Sequence, residues 1–308
     1  MRKKISIVGS GNVGATTAHL IVQSGIADVV LFDIVEGMPQ GKALDLAEAC
    51  ALWGSSSGLK GTNTFTDTSN SDIVVITAGQ TRKPGMSRDD LLHTNANIVR
   101  EICSEIAKTS PEAIVIVVTN PVDVMAQLAW KTTEFSCRRV IGMGGLLDEA
   151  RLTAFLSWEL NISPEDVETL VLGAHGDEMI PLVRFSTVKG IPVTEHLPKE
   201  RINALIERTR KGGAEIVALL GSGSAYYAPA ASIVQMITSI LLDEKRTLPC
   251  SAYLNGEYGI KDIYMGVPVT LGEKGIEAII EVTLTKEEKV QFRKSCASVR
   301  RLIERLSI

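Results

Sequence analysis

Residues 5–14 read Ile5-Ser6-Ile7-Val8-Gly9-Ser10-Gly11-Asn12-Val13-Gly14. A short apolar run ends in three glycines spaced G-x-G-x-x-G, and a helical stretch, Ala15–Gln23, follows at once. The spacing has a physical reading. Gly9 permits a tight turn, Gly11 lets backbone approach a pyrophosphate, and Gly14 lets strand and helix pack closely. The helix start then offers free N–H groups and a positive dipole end to the phosphates. The next apolar run, Val29–Phe32, ends in Asp33. An acid there accepts hydrogen bonds from the adenosine ribose and repels an added 2′-phosphate, so NAD is expected over NADP. The expected cofactor contacts are Gly9, Gly11, Asn12, Val13, Gly14 and Asp33.

Outward from this turn, Ile5–Val8, Val29–Phe32, Ile73–Thr77 and Ile114–Thr119 are apolar along consecutive residues. Strands buried on both faces require this, because period-two alternation leaves one face wet. Helical patterns lie between them. One covers about Gln40–Leu52, with Ala43, Leu46, Ala47 and Cys50 on one face. Another follows Ser87, an N-cap with Asp90 at the third helical position. The alternation predicts a Rossmann-type α/β domain over residues 1–142, a doubly wound parallel sheet with right-handed crossovers. After Gly142-Met143-Gly144-Gly145 the texture changes. A helix over Asp148–Leu160 leads to an extended run, Thr169–Gly173, and Lys189-Gly190-Ile191-Pro192 suits a hairpin. A long helix covers Glu200–Leu220. The last helix opens on a Thr285/Glu288 capping box and buries Val299, Leu302, Ile303 and Leu306. Residues 143–308 are therefore expected to form a mixed α+β substrate domain.

Composition narrows the function classes. The 308 residues are 45% hydrophobic and 22% charged, enough for a sizeable core. Thirty-two Lys+Arg against 36 Asp+Glu leave a net charge of −4, and without a basic excess no nucleic-acid partner is expected. No run reaches the roughly 18–20 apolar residues of a membrane span, so no membrane partner is expected. The basic start, Met1 to Lys4, is followed by an apolar stretch too short for an export signal. The five cysteines are odd in number and never spaced C-x-x-C, which favours a reducing cytoplasm and no metal site.

Four histidines are candidates for proton transfer. His19 and His93 fall inside helical stretches and His196 in a Pro-bounded turn, where a structural role is the simpler reading. His175 stands in Gly173-Ala174-His175-Gly176-Asp177, just after a strand, with glycines that open it to a cleft. By itself it reads equally as a catalytic group or a hydrogen-bonded core histidine.

Three segments occur in order behind the nucleotide turn: Thr119-Asn120-Pro121-Val122-Asp123, Leu147-Asp148-Glu149-Ala150-Arg151, and the His175 run. Together they resemble the lactate/malate dehydrogenase family along essentially the whole chain. The resemblance implies that His175 is the acid–base and that Asp148 orients it. It implies that Arg151 grips the substrate 1-carboxylate by a bidentate contact that lysine cannot copy. The segment Gly79–Arg88 resembles the family's closing loop, with Arg88 polarising the reacting carbonyl. Arg82 occupies the place where malate enzymes have arginine and lactate enzymes usually glutamine. A second substrate carboxylate in a closed site needs such a partner, since an unpaired charge there is costly. Ala225 stands where lactate-specific members tend to have threonine. Asn120 belongs near the nicotinamide and substrate carbonyl, and Asn95 and Thr119 join the cofactor contacts. The implied substrate is a small dicarboxylate (malate or oxaloacetate), and the implied assembly a homodimer or homotetramer. Other readings are a lactate or other 2-hydroxyacid dehydrogenase, an NAD-sensing binding protein without turnover, and an NAD-dependent glycosidase.

Overall fold

Strand β1 (Lys4–Val8) has no wet face: Ile5, Ser6, Ile7 and Val8 are all buried. Ser6 is tolerated there because its hydroxyl meets that of Ser71 at 2.7 Å. The same double burial holds for β4 (Ile73–Ile76) and β5 (Ile114–Val117), and β2 (Asp28–Phe32) is buried from Val29 onward. Each fully buried Val or Ile is worth about 1.5–3 kcal/mol, so these short strands contribute substantially to the core of the first half. The computed structural model describes residues 2–80 and 87–308, and of Arg88 its backbone alone.

The strands alternate with α1 (Asn12–Ser24), α2 (Met38–Trp53), α3 (Arg88–Thr109) and α4 (Val122–Thr133). Two strands escaped the sequence pattern. β3 (Leu59–Thr62) is a half-exposed sheet edge of Leu-Lys-Gly-Thr, and β6 (Val140–Gly142) is only three residues long. Pairing is parallel throughout this part, in the order β3-β2-β1-β4-β5-β6. The order reverses between β1 and β4, and the crevice beyond the strand ends at that reversal is where α/β sheets bind ligands.

The second half begins with α5 (Gly145–Leu160) and then turns to small antiparallel pairs. These are β7 (Val167–Glu168), β8 (Val171–Gly173), β9 (Met179–Pro181), β10 (Thr187–Val188) and β11 (Ile191–Pro192). The run expected as a strand over Thr169–Gly173 is shortened to β8, and β7 just before it serves a different sheet. His196 ends a one-turn helix, α6 (Val193–His196). Then come α7 (Lys199–Leu220), α8 (Tyr227–Leu241), β12 (Arg246–Asn255), β13 (Lys261–Gly272), β14 (Gly275–Ile279) and α9 (Lys286–Arg305). β12 pairs antiparallel with β6, so β12, β13 and β14 extend the first sheet to nine strands. Both capping boxes form, Ser87 with Asp90 and Thr285 with Glu288. One large core runs along the nine-stranded sheet. A smaller one sits between α5, α7 and the short strands, built on Leu152, Phe155, Leu156, Leu205 and Ile206. On α2, Ala43 and Cys50 are buried, but Ala47 and Ala51 face outward.

Candidate active site

The glycine turn joins β1 to α1 as its spacing requires. Gly9 has φ +112°, a conformation that favours glycine. A Cβ on Gly14 would lie 1.9 Å from the Gly9 carbonyl oxygen, so only glycine permits this strand–helix approach. Gly11 is different. It caps α1 in ordinary geometry, and a Cβ there would meet nothing within 4 Å. The space in front of Gly11 is therefore open, and α1 presents its first N–H groups to it without a side-chain cap. Asp33, just beyond β2, accepts from the Ser10 backbone N–H at 2.7 Å, the Ser10 hydroxyl at 3.0 Å and the Val35 N–H at 3.1 Å. Its carboxylate is thereby fixed against the turn with lone pairs to spare. Lys42 of α2 donates to the Ser10 carbonyl at 2.6 Å and holds the turn from the other side. An open anion cradle beside a fixed acid fits the pyrophosphate and ribose of NAD.

At the reversal of strand order, Val13, Asn95, Thr119, Asn120, His175 and Ala225 line one cavity of about 340 Å³. These six residues come from five separate places in the sequence, on α1, in α3, after β5, after β8 and before α8. Thr119 donates to the Ala78 carbonyl at 2.6 Å. Asn95, buried in α3, accepts from the Gln80 N–H at 2.8 Å and donates to the Asn120 carbonyl at 2.9 Å. Its amide staples the two loops together, so it shapes the wall of the cavity through backbone.

His175 Nδ1 lies 2.9 Å from Asp148 Oδ2, and Arg151 Nη1 lies 3.7 Å from Asp148 Oδ1. Asp148 and Arg151 share one face of α5, three residues apart, so a single helix carries both partners of the imidazole. Asp148 is 1% exposed, Arg151 12% and His175 16%. Burial opposes the imidazolium, but the charge and hydrogen bond of Asp148 outweigh it and raise the His175 pKa above its ordinary value. Arg151 is shifted downward by burial, against the pull of Asp148. The neighbouring Glu149 is pushed up to about 8 by burial and is therefore largely neutral at pH 7.

Sequence reading gave no role to the residues behind this group. Asp123 of α4, fully enclosed, receives the Ser251 hydroxyl at 2.6 Å and the His175 backbone N–H at 3.2 Å. Burial raises its pKa to about 6 in spite of those two bonds. Ser295 of α9 accepts from the Ala174 N–H and donates to the Glu178 carbonyl, both at 2.9 Å, and so pins the same loop. Asp123 was visible in its motif, but Ser251 and Ser295 lie more than a hundred residues away and gave no local signal. Gly173 and Gly176 adopt φ +89° and +93°, as the glycine-flanked run required. Arg82 lies outside the described residues; Arg88 opens α3, and its side chain is not among those described. Among the described residues no cluster of three or more His, Cys, Asp or Glu is placed to hold a metal, and no helix is long and apolar enough to cross a membrane.

Residues 3–142 match the lactate/malate dehydrogenase NAD binding domain, and residues 146–307 the lactate/malate dehydrogenase alpha/beta C-terminal domain. The chain belongs to the lactate/malate dehydrogenase family. Relatives within that family include malate dehydrogenases of Desulforudis audaxviator, 55% identical over 100% of this chain and 99% of the relative, and of Bacillus subtilis, 54% identical over 99% of each. Among solved lactate/malate dehydrogenases, that of Cryptosporidium parvum, a malate dehydrogenase, superposes with a TM-score of 0.97 at 46% identity, covering 100% of this chain and 99% of that one. The lactate dehydrogenase of Eimeria maxima, solved with NADH and oxamate, gives 0.96 at 42% identity over 100% of this chain and 95% of that one.

Proposed function

We propose that this chain is an NAD-dependent malate dehydrogenase, interconverting (S)-malate and oxaloacetate. The observation that carries the reading is the buried group His175–Asp148–Arg151 beside the cavity that Asn120 lines. The relatives named malate dehydrogenase, alike over nearly the whole chain, support the choice of substrate. When bound, NAD supplies the hydride acceptor of malate oxidation; it fits the cradle of Gly9, Gly11, Asn12, Val13 and Gly14 and the carboxylate of Asp33. With Nδ1 engaged by Asp148, His175 keeps Nε2 for the substrate. Nε2 takes the hydroxyl proton in oxidation and returns it to the ketone in reduction. Arg151 holds the carboxylate next to the reacting carbon, and Asn120 orients the substrate oxygen. Asn95 and Thr119 fix the loops that border the nicotinamide end. Arg88 polarises the carbonyl, and Arg82 pairs with the second carboxylate.

The remaining parts of the reading follow. Residues 1–142 hold the nucleotide and residues 143–308 supply α5 and the His175 loop. The reaction belongs to the tricarboxylic acid cycle, and five free cysteines, four of them buried, suit a reducing cytoplasm. A homodimer or homotetramer is favoured by the outward-facing apolar residues of α2, Leu44 at 62% exposure and Leu52 at 89%. Steady-state rates with NADH test the substrate: oxaloacetate is expected to exceed pyruvate in kcat/KM by about a thousandfold or more, since an unmatched charge costs several kcal/mol. Arg82→Gln shifts that ratio toward pyruvate. Equal rates on both acids would defeat the argument from Arg82, and equal weakening of both by the substitution would leave Arg82 a general charge with no part in choosing the substrate.

A further inference from the structure

Helix α7 carries two adjacent glycines in its interior, Gly212 and Gly213. Glycine is the poorest helix former after proline, so a pair in mid-helix calls for a local reason. The buried stripe of α7 runs Ile202, Leu205, Ile206, Thr209, Gly212. Up to Ile206 its side chains pack against Leu152 and Phe155 of α5. At Gly212 a side chain from α5 takes the space instead. A Cβ on Gly212 would stand 3.1 Å from Arg151 Cδ and 3.4 Å from its Nε. A Cβ on Gly213 would come no closer than 3.6 Å to the guanidinium, an ordinary contact. The notch is thus one residue wide.

Arg151 has little else to hold it. Among the described residues its buried Nε has no hydrogen-bond partner, and its ion pair with Asp148 is long at 3.7 Å. Contact with bare helix backbone, more than polar bonding, sets the course of its stem.

We infer that Gly212 is a positioning residue for the substrate carboxylate: the absence of a side chain there seats the Arg151 stem against α7 and aims its guanidinium into the site beside His175. The inference rests on the proposed role of Arg151. A bidentate grip tolerates only small errors of aim. A methyl group at 212 forces the stem to move by a few tenths of an ångström.

Two alanine variants separate aim from stability, because alanine improves the helix at either place. Gly212→Ala is expected to raise KM for oxaloacetate about tenfold, as misplacement of a binding group by a fraction of an ångström does, with kcat and the NADH dissociation constant within twofold of the parent. Gly213→Ala is expected to leave KM within twofold. Both variants are expected to melt no lower than the parent. In an Arg151→Ala background, the Gly212 substitution changes kcat/KM by less than twofold, because its effect passes through the arginine. An unchanged KM in Gly212→Ala, an equal rise in Gly213→Ala, or an undiminished effect in the Arg151→Ala background overturns the inference while Arg151 keeps its role. If Arg151→Ala itself leaves oxaloacetate KM unchanged, the reading of Arg151 fails and this one with it. Should Gly212→Ala not fold, Gly212→Ser at reduced temperature carries the same KM expectation, and a normal KM there also overturns the inference.

Discussion

His175 and Asp148 form a pair whose energetics depend on burial as much as on distance. The 2.9 Å contact favours the imidazolium in a site where burial opposes it. In the proposed reaction ketone reduction needs the protonated ring, so its rate is expected to fall as pH rises through the raised His175 pKa, while malate oxidation rises over the same range. Asp148→Asn removes the attraction and leaves burial in charge. The reductive limb then moves to lower pH and kcat drops by about a hundredfold or more; a pH–rate profile with an unmoved limb would refute the pairing. At Asp123 the pKa also moves upward, but here burial is the cause. Its folded pKa, about 6, lies above the ordinary 3.8, so the folded state holds the proton more tightly and stability declines as pH rises between these values. Ser251→Ala deletes the donor that favours the carboxylate and raises that pKa further. The expected loss is about 1–3 kcal/mol in urea unfolding at pH 8, shrinking toward pH 4 where the carboxyl is already protonated. A loss independent of pH would mean that the hydroxyl only fills space.

Among the elements, the strand–turn–helix from β1 to α1 carries two glycines with separate duties. Gly14 is demanded by the fold, with a carbonyl 1.9 Å from the place a Cβ would take, whereas nothing of the protein lies within 4 Å of a Cβ on Gly11. Gly14→Ala is therefore expected to lower the melting temperature markedly. Gly11→Ala is expected to leave it unchanged while weakening NADH binding by about tenfold or more, because its methyl group occupies the phosphate cradle. Fluorescence titration together with thermal melts reads both; full NADH affinity in Gly11→Ala would show that the pyrophosphate does not sit there. The antiparallel strands β12 to β14 are an element-scale result of another kind. Leu248, Cys250, Ala252 and Leu254 are all buried. Yet Arg246–Asn255 has no run of consecutive apolar residues like those of the parallel strands, and among the described residues it meets β6 through the single Ser251–Gly142 register.

At the scale of the whole molecule, α2 and the end of α7 leave large apolar side chains in solvent: Leu44, Leu52, Leu219 and Leu220, from 51% to 89% exposed. We take those of α2 as the surface that meets another copy of the chain. Sedimentation is expected to give a multiple of the 33.2 kDa chain mass, and Leu44→Glu with Leu52→Glu to shift it toward the monomer without unfolding it. A parent protein that runs as a monomer at micromolar concentration would end the oligomer proposal.

The letters alone determined the nucleotide turn and the doubly wound half, and through a family resemblance they proposed the reacting groups. Each rests on local rules: a glycine spacing, consecutive burial within a strand, a cap three residues from its partner. Motifs of five residues also carried His175, Asp148 and Arg151. What holds those groups in place was decided only in three dimensions. Ser10 fixes Asp33, Asn95 staples the loops at Gln80 and Asn120, Ser251 supports Asp123, and Gly212 makes room for Arg151. These are contacts between residues tens to more than a hundred positions apart. A hydroxyl or a missing Cβ becomes meaningful only when folding brings its counterpart within a few ångströms, and no periodicity along the chain records that meeting.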